Sequence, residues 1–318
     1  MSNKLDTKTQ EIQQQNTSNN VSAKQPKKRK RRFGDRREGR RLRTLDGLHV
    51  ATPFIMKDRN DASNTFSDEV NVTKTELFVQ EQIKSGNENF SILHVILAAY
   101  VRTVAAHPYL NRFVSGQRIF ARNNIEVVMV IKKQMTLDAP ETAIKVVFDP
   151  TDTIFDVYDK FNAAVVANNT DPSSENGTDK ISEFFRRFPR LLFRAVVKVI
   201  GWLDYWGLCP KMLMDELPFW GSMIITSMGS LGIKPIYHHL YNFGNLPVFV
   251  SYGTKRKVNV VDRQGNIKVN KMIDLKIVTD ERTCDGFEYA TAFKCWKKYI
   301  ENPDFLTSPP EVVNEDID

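Results

Sequence analysis

Thr279-Asp280-Glu281-Arg282-Thr283-Cys284-Asp285-Gly286-Phe287-Glu288-Tyr289-Ala290, running on to Glu301-Asn302, decides how the C-terminal part of this chain folds. In the segment before it, Ile267, Val269, Ile273, Leu275 and Ile277 share one face when the backbone is extended. That segment reads as a strand ending at Thr279. An acidic turn follows, and Asp285 then stands where a helix N-cap belongs, with Glu288 three positions on. The pair makes a capping box, in which the Asp carboxylate takes an orphan amide of the first turn and the Glu reaches back to the cap. A helix is predicted over 287–300, with Phe287, Ala290, Phe293, Trp296 and Ile300 facing the core at helical spacing.

Upstream, Val258–Val261 is a strand that forms a hairpin with 267–279 around Asp262-Arg-Gln-Gly-Asn266. Strands are also predicted over 65–72, 143–148, 219–227 and 248–252. Arg118-Ile-Phe-Ala121 and Ile125–Ile131 read as a strand pair about a tight turn at Asn123-Asn124. Helices are predicted from Thr73 to about Ser85, over 92–106 and over 154–166. The first has a capping box of Thr73 and Glu76, and the second ends at His107-Pro108. Residues 168–179 are a polar loop. The stretch 181–208 is an apolar helix on which Arg190, Arg194 and Lys198 recur every four residues as a narrow basic stripe. Burial against the domain or a neighbouring subunit is its expected placement, and a membrane surface is the other reading.

A hydrophobic fraction of 41%, with 10% aromatic residues, suffices for a globular core. Three scattered cysteines, Cys209, Cys284 and Cys295, make neither a disulfide framework nor a metal cluster, so a reduced, cytoplasmic setting and no metal are expected. No run of 18 apolar residues suggests a membrane span. The net charge of +7 is unevenly placed. Residues 24–43 hold 12 Lys or Arg and two acids, a local balance of +10, which leaves −3 for the remainder. The organisation expected is a disordered tail with a basic run at 1–43, one domain at 44–306 and an acidic tail at 307–318. The basic run is an electrostatic arm for an acidic protein, nucleic acid or anionic lipid, or a solubilising tail.

Taken together these strings resemble the acyltransferases that include chloramphenicol acetyltransferase and the catalytic domain of the dihydrolipoyl acyltransferase component of 2-oxoacid dehydrogenases. Asp68-Glu-Val-Asn-Val-Thr73, His107-Pro-Tyr-Leu-Asn111, Ile225-Thr-Ser-Met-Gly229 and Glu281-x-x-x-Asp285-Gly286 fall in the family's order, spanning roughly 45–305. The resemblance implies an α/β fold, a two-layer sandwich of a mixed sheet with packed helices, and a homotrimer with its active site between subunits. It also implies coenzyme A or an acyl-CoA as substrate, with no permanently bound cofactor.

In the family a His removes the proton from the attacking thiol or hydroxyl; its counterpart here is Glu281. The family Asp that keeps the site's geometry corresponds to Asp285, and the hydroxyl that stabilises the oxyanion corresponds to Thr226. A carboxylate ordinarily titrates about two units below histidine, so it serves as a base at neutral pH only when burial raises it. It would also sit beside Asp280. Activity is therefore expected to be altered or lost, the alternative being a non-catalytic trimeric scaffold or regulator. His238 and His239 are candidate substitute bases, while His49, His94 and His107 have no partner visible in the sequence. The Gly229-Ser-Leu-Gly232 string has the wrong spacing for a phosphate loop. Two departures from the family are expected: no lipoyl domain precedes the catalytic region, and Glu141-Thr-Ala-Ile-Lys-Val-Val147 replaces an apolar substrate-facing strand.

Overall fold

The computed structural model describes residues 29–132, 141–169, 183, 186–262 and 264–318. The expected disorder of 1–28 and the polar loop at 170–179 lie outside the described residues. Among the described residues, ten strands are arranged in two sheets. The larger has the order β2(Ser63–Asn71), β10(Ile267–Asp280), β8(Val248–Tyr252), β7(Met223–Ser227), β5(Ile125–Lys132), β6(Glu141–Phe148), with β9(Arg256–Val261) paired to β10 beyond β8. It is mixed: β5, β7 and β8 run parallel, and the other pairs are antiparallel. The smaller sheet has the order β1(Gly39–Arg41), β4(Arg118–Arg122), β3(Arg112–Ser115). The α/β sandwich expected from the resemblance is the observed architecture.

Helices cover one face of the large sheet. α1(Gly47–Ile55) lies outside this layer, while α2(Thr73–Lys84), α3(Ile92–Ala106), α4(Ile154–Asn169) and α7(Gly286–Glu301) form it. Ile273, Leu275 and Ile277 of β10, Val248 and Val250 of β8, and Met223 and Ile225 of β7 point into one core with Ile96, Tyr100 and Trp296 of the helices. Each such large side chain contributes roughly 1.5–3 kcal/mol of burial. Trp296 Nε1 also donates to the Ile96 carbonyl at 3.1 Å, so the indole is buried without an orphan donor. The opposite face carries a smaller cluster of Val128, Ile224, Phe249 and Val278, capped by Leu240 and Leu246 from the loop after β7.

Three sequence expectations are corrected. β4 and β5 do not form a hairpin, because β4 pairs with β3 and β1 while β5 enters the other sheet. The chain turns at Asn123-Asn124 from one sheet into the other. Thr73 is not a cap: Val72 holds that position without a side-chain bond, Thr73 Oγ1 donates to Asn71 Oδ1 at 2.7 Å, and Glu76 pairs with Lys255 and Lys271. The basic stretch is structured over 35–43. Gly39–Arg41 pairs with β4, and the Asp35 carboxylate accepts from the Arg32 and Arg41 amides and the Arg43 guanidinium. These bonds hold its carboxyl below the usual range against the opposing effect of burial. The C-terminal segment is likewise docked. Arg29 reaches Glu315 at 2.8 Å, Arg32 reaches Asp318 at 2.8 Å, and Asp316 is buried against Arg112. Over its described part, the basic run meets the chain's own C-terminal carboxylates.

α5(Arg190–Trp206), expected to be buried against the domain or a neighbouring subunit, is only slightly buried by its own domain. It has Ile200 as its single buried residue. A short helix, α6(Lys211–Glu216), follows it.

Candidate functional site

The corner between β10 and α7 forms as its local sequence requires. Asp285 Oδ1 accepts from the Glu288 amide at 2.7 Å and Glu288 Oε2 accepts from the Asp285 amide at 3.1 Å, completing the capping box. In the turn before it, Arg282, Thr283 and Cys284 are buried while Glu281 and Asp285 are exposed. Asp280 is buried and takes two bonds of 2.8 Å from Arg282 and one of 3.3 Å from Arg59. Arg282 in turn donates to the Met56 and Lys57 carbonyls. Burial pushes Arg59 below its ordinary value while the Asp280 charge opposes that shift. Asp280 therefore does not crowd Glu281 with negative charge. Glu281 is exposed, its amide bonded to the Ala62 carbonyl at 2.8 Å, and its carboxylate has no partner among the described residues. Cys284 is buried with Sγ 2.9 Å from the Tyr109 carbonyl oxygen, and burial pushes its thiol well up, which removes it as a nucleophile.

Glu288 is bound a second time, by Arg112 at 3.2 Å. Arg112 is 3% exposed, donates two bonds of 2.7 Å to Asp316 and reaches the Thr283 carbonyl at 3.3 Å. The C-terminal segment is thereby tied to the turn that carries Glu281.

A histidine that the sequence leaves without a partner arrives at this corner. His49 lies on α1, whose N-cap Asp46 accepts from the Leu48 and His49 amides. His49 Nδ1 lies 2.5 Å from Asp46 Oδ2, and these bonds, that from the His49 amide foremost, hold the Asp46 carboxyl below its usual range. A ring nitrogen of His49 and carboxylate oxygens of Asp285 and Glu288 all lie within 4.8 Å of one another. The local signal was Asp46-x-x-His49 at a helix start; nothing in the sequence pairs it with a segment more than 230 residues away.

Thr226 is elsewhere. It is half-buried near the end of β7, opposite Ser251 of β8, which is in turn opposite Lys276 of β10. All three project to the face away from the helices, the side of Ile224, Phe249 and Val278. Glu281 is five residues beyond Lys276 and two strands over from Thr226, roughly 17 Å along the sheet and about 10 Å across it. A single chain does not bring Glu281, Asp285 and Thr226 together.

The loop after β7 covers the Thr226 face. The Ile236 amide donates to Ser251 Oγ at 3.3 Å, and Lys276 Nζ sits 4.8 Å from the Tyr237 ring centre. His238 stacks on Phe249 at 4.3 Å and 5°. Burial, then the neighbouring His239, lowers its pKa. His239 is exposed. His107 is accounted for by the Tyr109 hydroxyl 2.9 Å from its Nδ1, and His94 by the Ser91 amide donating to its Nδ1 at 3.0 Å.

Residues 220–308 match the family described as 2-oxoacid dehydrogenases acyltransferase (catalytic domain). No curated protein matches the chain. Among solved structures, the probable dihydrolipoamide acetyltransferase from Listeria monocytogenes 4b F2365 aligns at a TM-score of 0.51 and 14% identity, over 81% of this chain and 93% of that one. The dihydrolipoamide acetyltransferase of Azotobacter vinelandii aligns at 0.51 and 11% identity, over 80% and 90%. In the latter, a Ser, a His and an Asn four residues after the His were investigated for their roles in catalysis. The chain has the fold of these two acetyltransferases, and its C-terminal part, residues 220–308, is similar in sequence to the 2-oxoacid dehydrogenase acyltransferase catalytic domain.

Proposed function

We propose that the protein is a CoA-dependent acyltransferase-type protein whose reacting groups come from two copies of the chain, in a homotrimer. The observation that carries this reading is the 220–308 match, which spans Thr226, Glu281 and Asp285. Those residues stand at separate ends of one sheet, which supports a site completed by a neighbouring copy. Glu281 and Asp285 have the spacing of the His and Asn studied in the Azotobacter enzyme.

In this reading an acceptor thiol or hydroxyl attacks the carbonyl carbon of an acyl thioester. A base at the corner takes the acceptor's proton, and the Thr226 hydroxyl donates to the developing oxyanion. The C–S bond then breaks, and the CoA thiolate recovers the proton. Glu281 is exposed in the single chain and acts as the base only where the neighbouring copy buries it. One observation favours a second reading of the base, namely His49. Held by Asp46 and set beside Asp285 and Glu288, it forms the oriented base of a nucleophile-activating pair.

Calorimetric titration with CoA and a transfer assay with acetyl-CoA test the proposal. CoA binding, with kcat lowered about 10²–10⁴-fold by Glu281→Gln, assigns the base to Glu281; the same loss with His49→Asn assigns it to His49. Absence of CoA binding overturns the acyltransferase reading and leaves the scaffold, with its basic run for an acidic partner.

A further inference from the structure

α5 presents two parallel stripes to the outside. Around the helical wheel Arg190, Arg194 and Lys198 fall on one narrow stripe, while Leu191, Leu192, Val199, Trp202 and Trp206 fall on the next. The apolar stripe is open: Leu191 is 80% exposed, Trp202 59% and Trp206 56%. The helix is fastened to the domain mainly through its C-terminal half. Ile200 packs with Cys209, Met214, Leu217 and Trp220, and Asp204 Oδ1 accepts from Trp220 Nε1 at 2.8 Å. Arg36 donates to the Tyr205 and Trp206 carbonyls at 2.7 Å, capping the negative end of the helix. Gly207 closes the helix at a φ of 72°, where a Cβ would strike the Arg36 guanidinium.

Charge decides what this face meets. Asp204 is the only acid on α5 and is turned inward. Arg190, Arg194 and Lys198 have no ion-pair partner among the described residues. The outer face is therefore cationic and aromatic, with no carboxylate of its own. A contact between copies excludes uncompensated charge from its core and disfavours lysine. An anionic headgroup layer accepts both cation types, and the tryptophans suit the boundary beneath it. At 17 residues the helix is about 25 Å long, and no helix of the described residues is long and apolar enough to cross a membrane, so α5 would lie in the surface plane.

We infer that α5 docks the protein on an anionic membrane surface, the apolar stripe entering the acyl boundary and Arg190, Arg194 and Lys198 lying at the headgroups. This rests on α5 alone and stands whether or not the acyltransferase reading holds. The test uses the full chain with phosphatidylcholine vesicles, with and without phosphatidylglycerol, read by co-sedimentation and by tryptophan emission. Binding to the anionic vesicles only, with a blue shift in emission, is expected. Replacing Arg190, Arg194 and Lys198 together by Gln should weaken partitioning about 100-fold. Trp202→Ser with Trp206→Ser should abolish the blue shift and the binding with the charge intact. Wild-type protein that stays in the supernatant overturns the inference. So does undiminished binding by both variants, which assigns the lipid contact to the basic run. Trp202 and Trp206 shielded from acrylamide without vesicles show instead that another copy covers the face.

Discussion

The β10–α7 corner is laced with ion pairs: Arg59 and Arg282 on Asp280, Arg112 on Glu288 and Asp316, Asp46 beside His49. At the other end of the sheet, Thr226 shares its face with Ser251, the His238 ring stacked on Phe249, apolar side chains and the cation Lys276. On the proposed function, the contrast corresponds to two halves of acyl transfer. Moving a proton requires groups held in fixed geometry with their counter-charges, whereas stabilising an oxyanion requires an uncommitted hydroxyl in surroundings of low polarity.

The largest expected effect tests whether charge holds the corner. Arg112→Ala leaves Asp316 buried without its cation and should cost about 3–5 kcal/mol in urea unfolding. A loss under about 1 kcal/mol would break the comparison. Next is the neutral side of the molecule. Burial lowers His94 from 6.5 to about 4 in the helix layer behind the sheet. Because the folded value lies below the unfolded one, its contribution is full above about 6.5 and is lost as pH falls toward 4, a loss of about 3 kcal/mol. Stability measured across that window should fall accordingly, and His94→Leu should flatten the curve. A curve as steep in the variant would place the acid sensitivity elsewhere.

Smaller effects separate the cap from the chemistry. Asp285→Ala should cost about 1 kcal/mol through the lost N-cap bond, and Asp285→Asn only a few tenths. If both variants transfer acyl groups equally, Asp285 serves the helix alone. The smallest change is expected from His238→Phe, which keeps the stack on Phe249 and should alter stability by less than about 0.5 kcal/mol at neutral pH. A large loss of acetyl transfer in that variant, with stability unchanged, would move proton chemistry to the Thr226 end.

The corner was legible because its determinants are local. The capping box spans Asp285 to Glu288, and the helix begins and ends within a residue of its predicted bounds. The stripe on that helix was read less well. Phe293, Trp296 and Ile300 are buried, but Phe287 is 80% exposed, and Tyr289 and Ala292 take the inner places. The spacing sets the period of such a stripe, but the packing against α3 sets its phase. β10 shows the same limit: Ile273, Leu275 and Ile277 are in the core, whereas Ile267 and Val269 continue along the β9–β10 ribbon into solvent. The strands on either side of Asn123-Asn124 were found, yet they belong to different sheets, since hydrogen-bond partners are chosen by the fold and not by adjacency.

Sequence by itself determined the order of strands and helices, the capping box, the residue types at positions 226, 281 and 285, and the basic stripe on α5. Those are properties of neighbours within a few residues, where propensity and period act. Tertiary structure alone decided that His49 comes to the corner, that the C-terminal carboxylates meet the basic run and Arg112, that α5 is exposed within one chain, and that Thr226 and Glu281 stand at opposite ends of the sheet. Each of these depends on which distant segments are brought within a few ångströms of one another. That choice is made by burial of the whole core, not by any segment's own pattern.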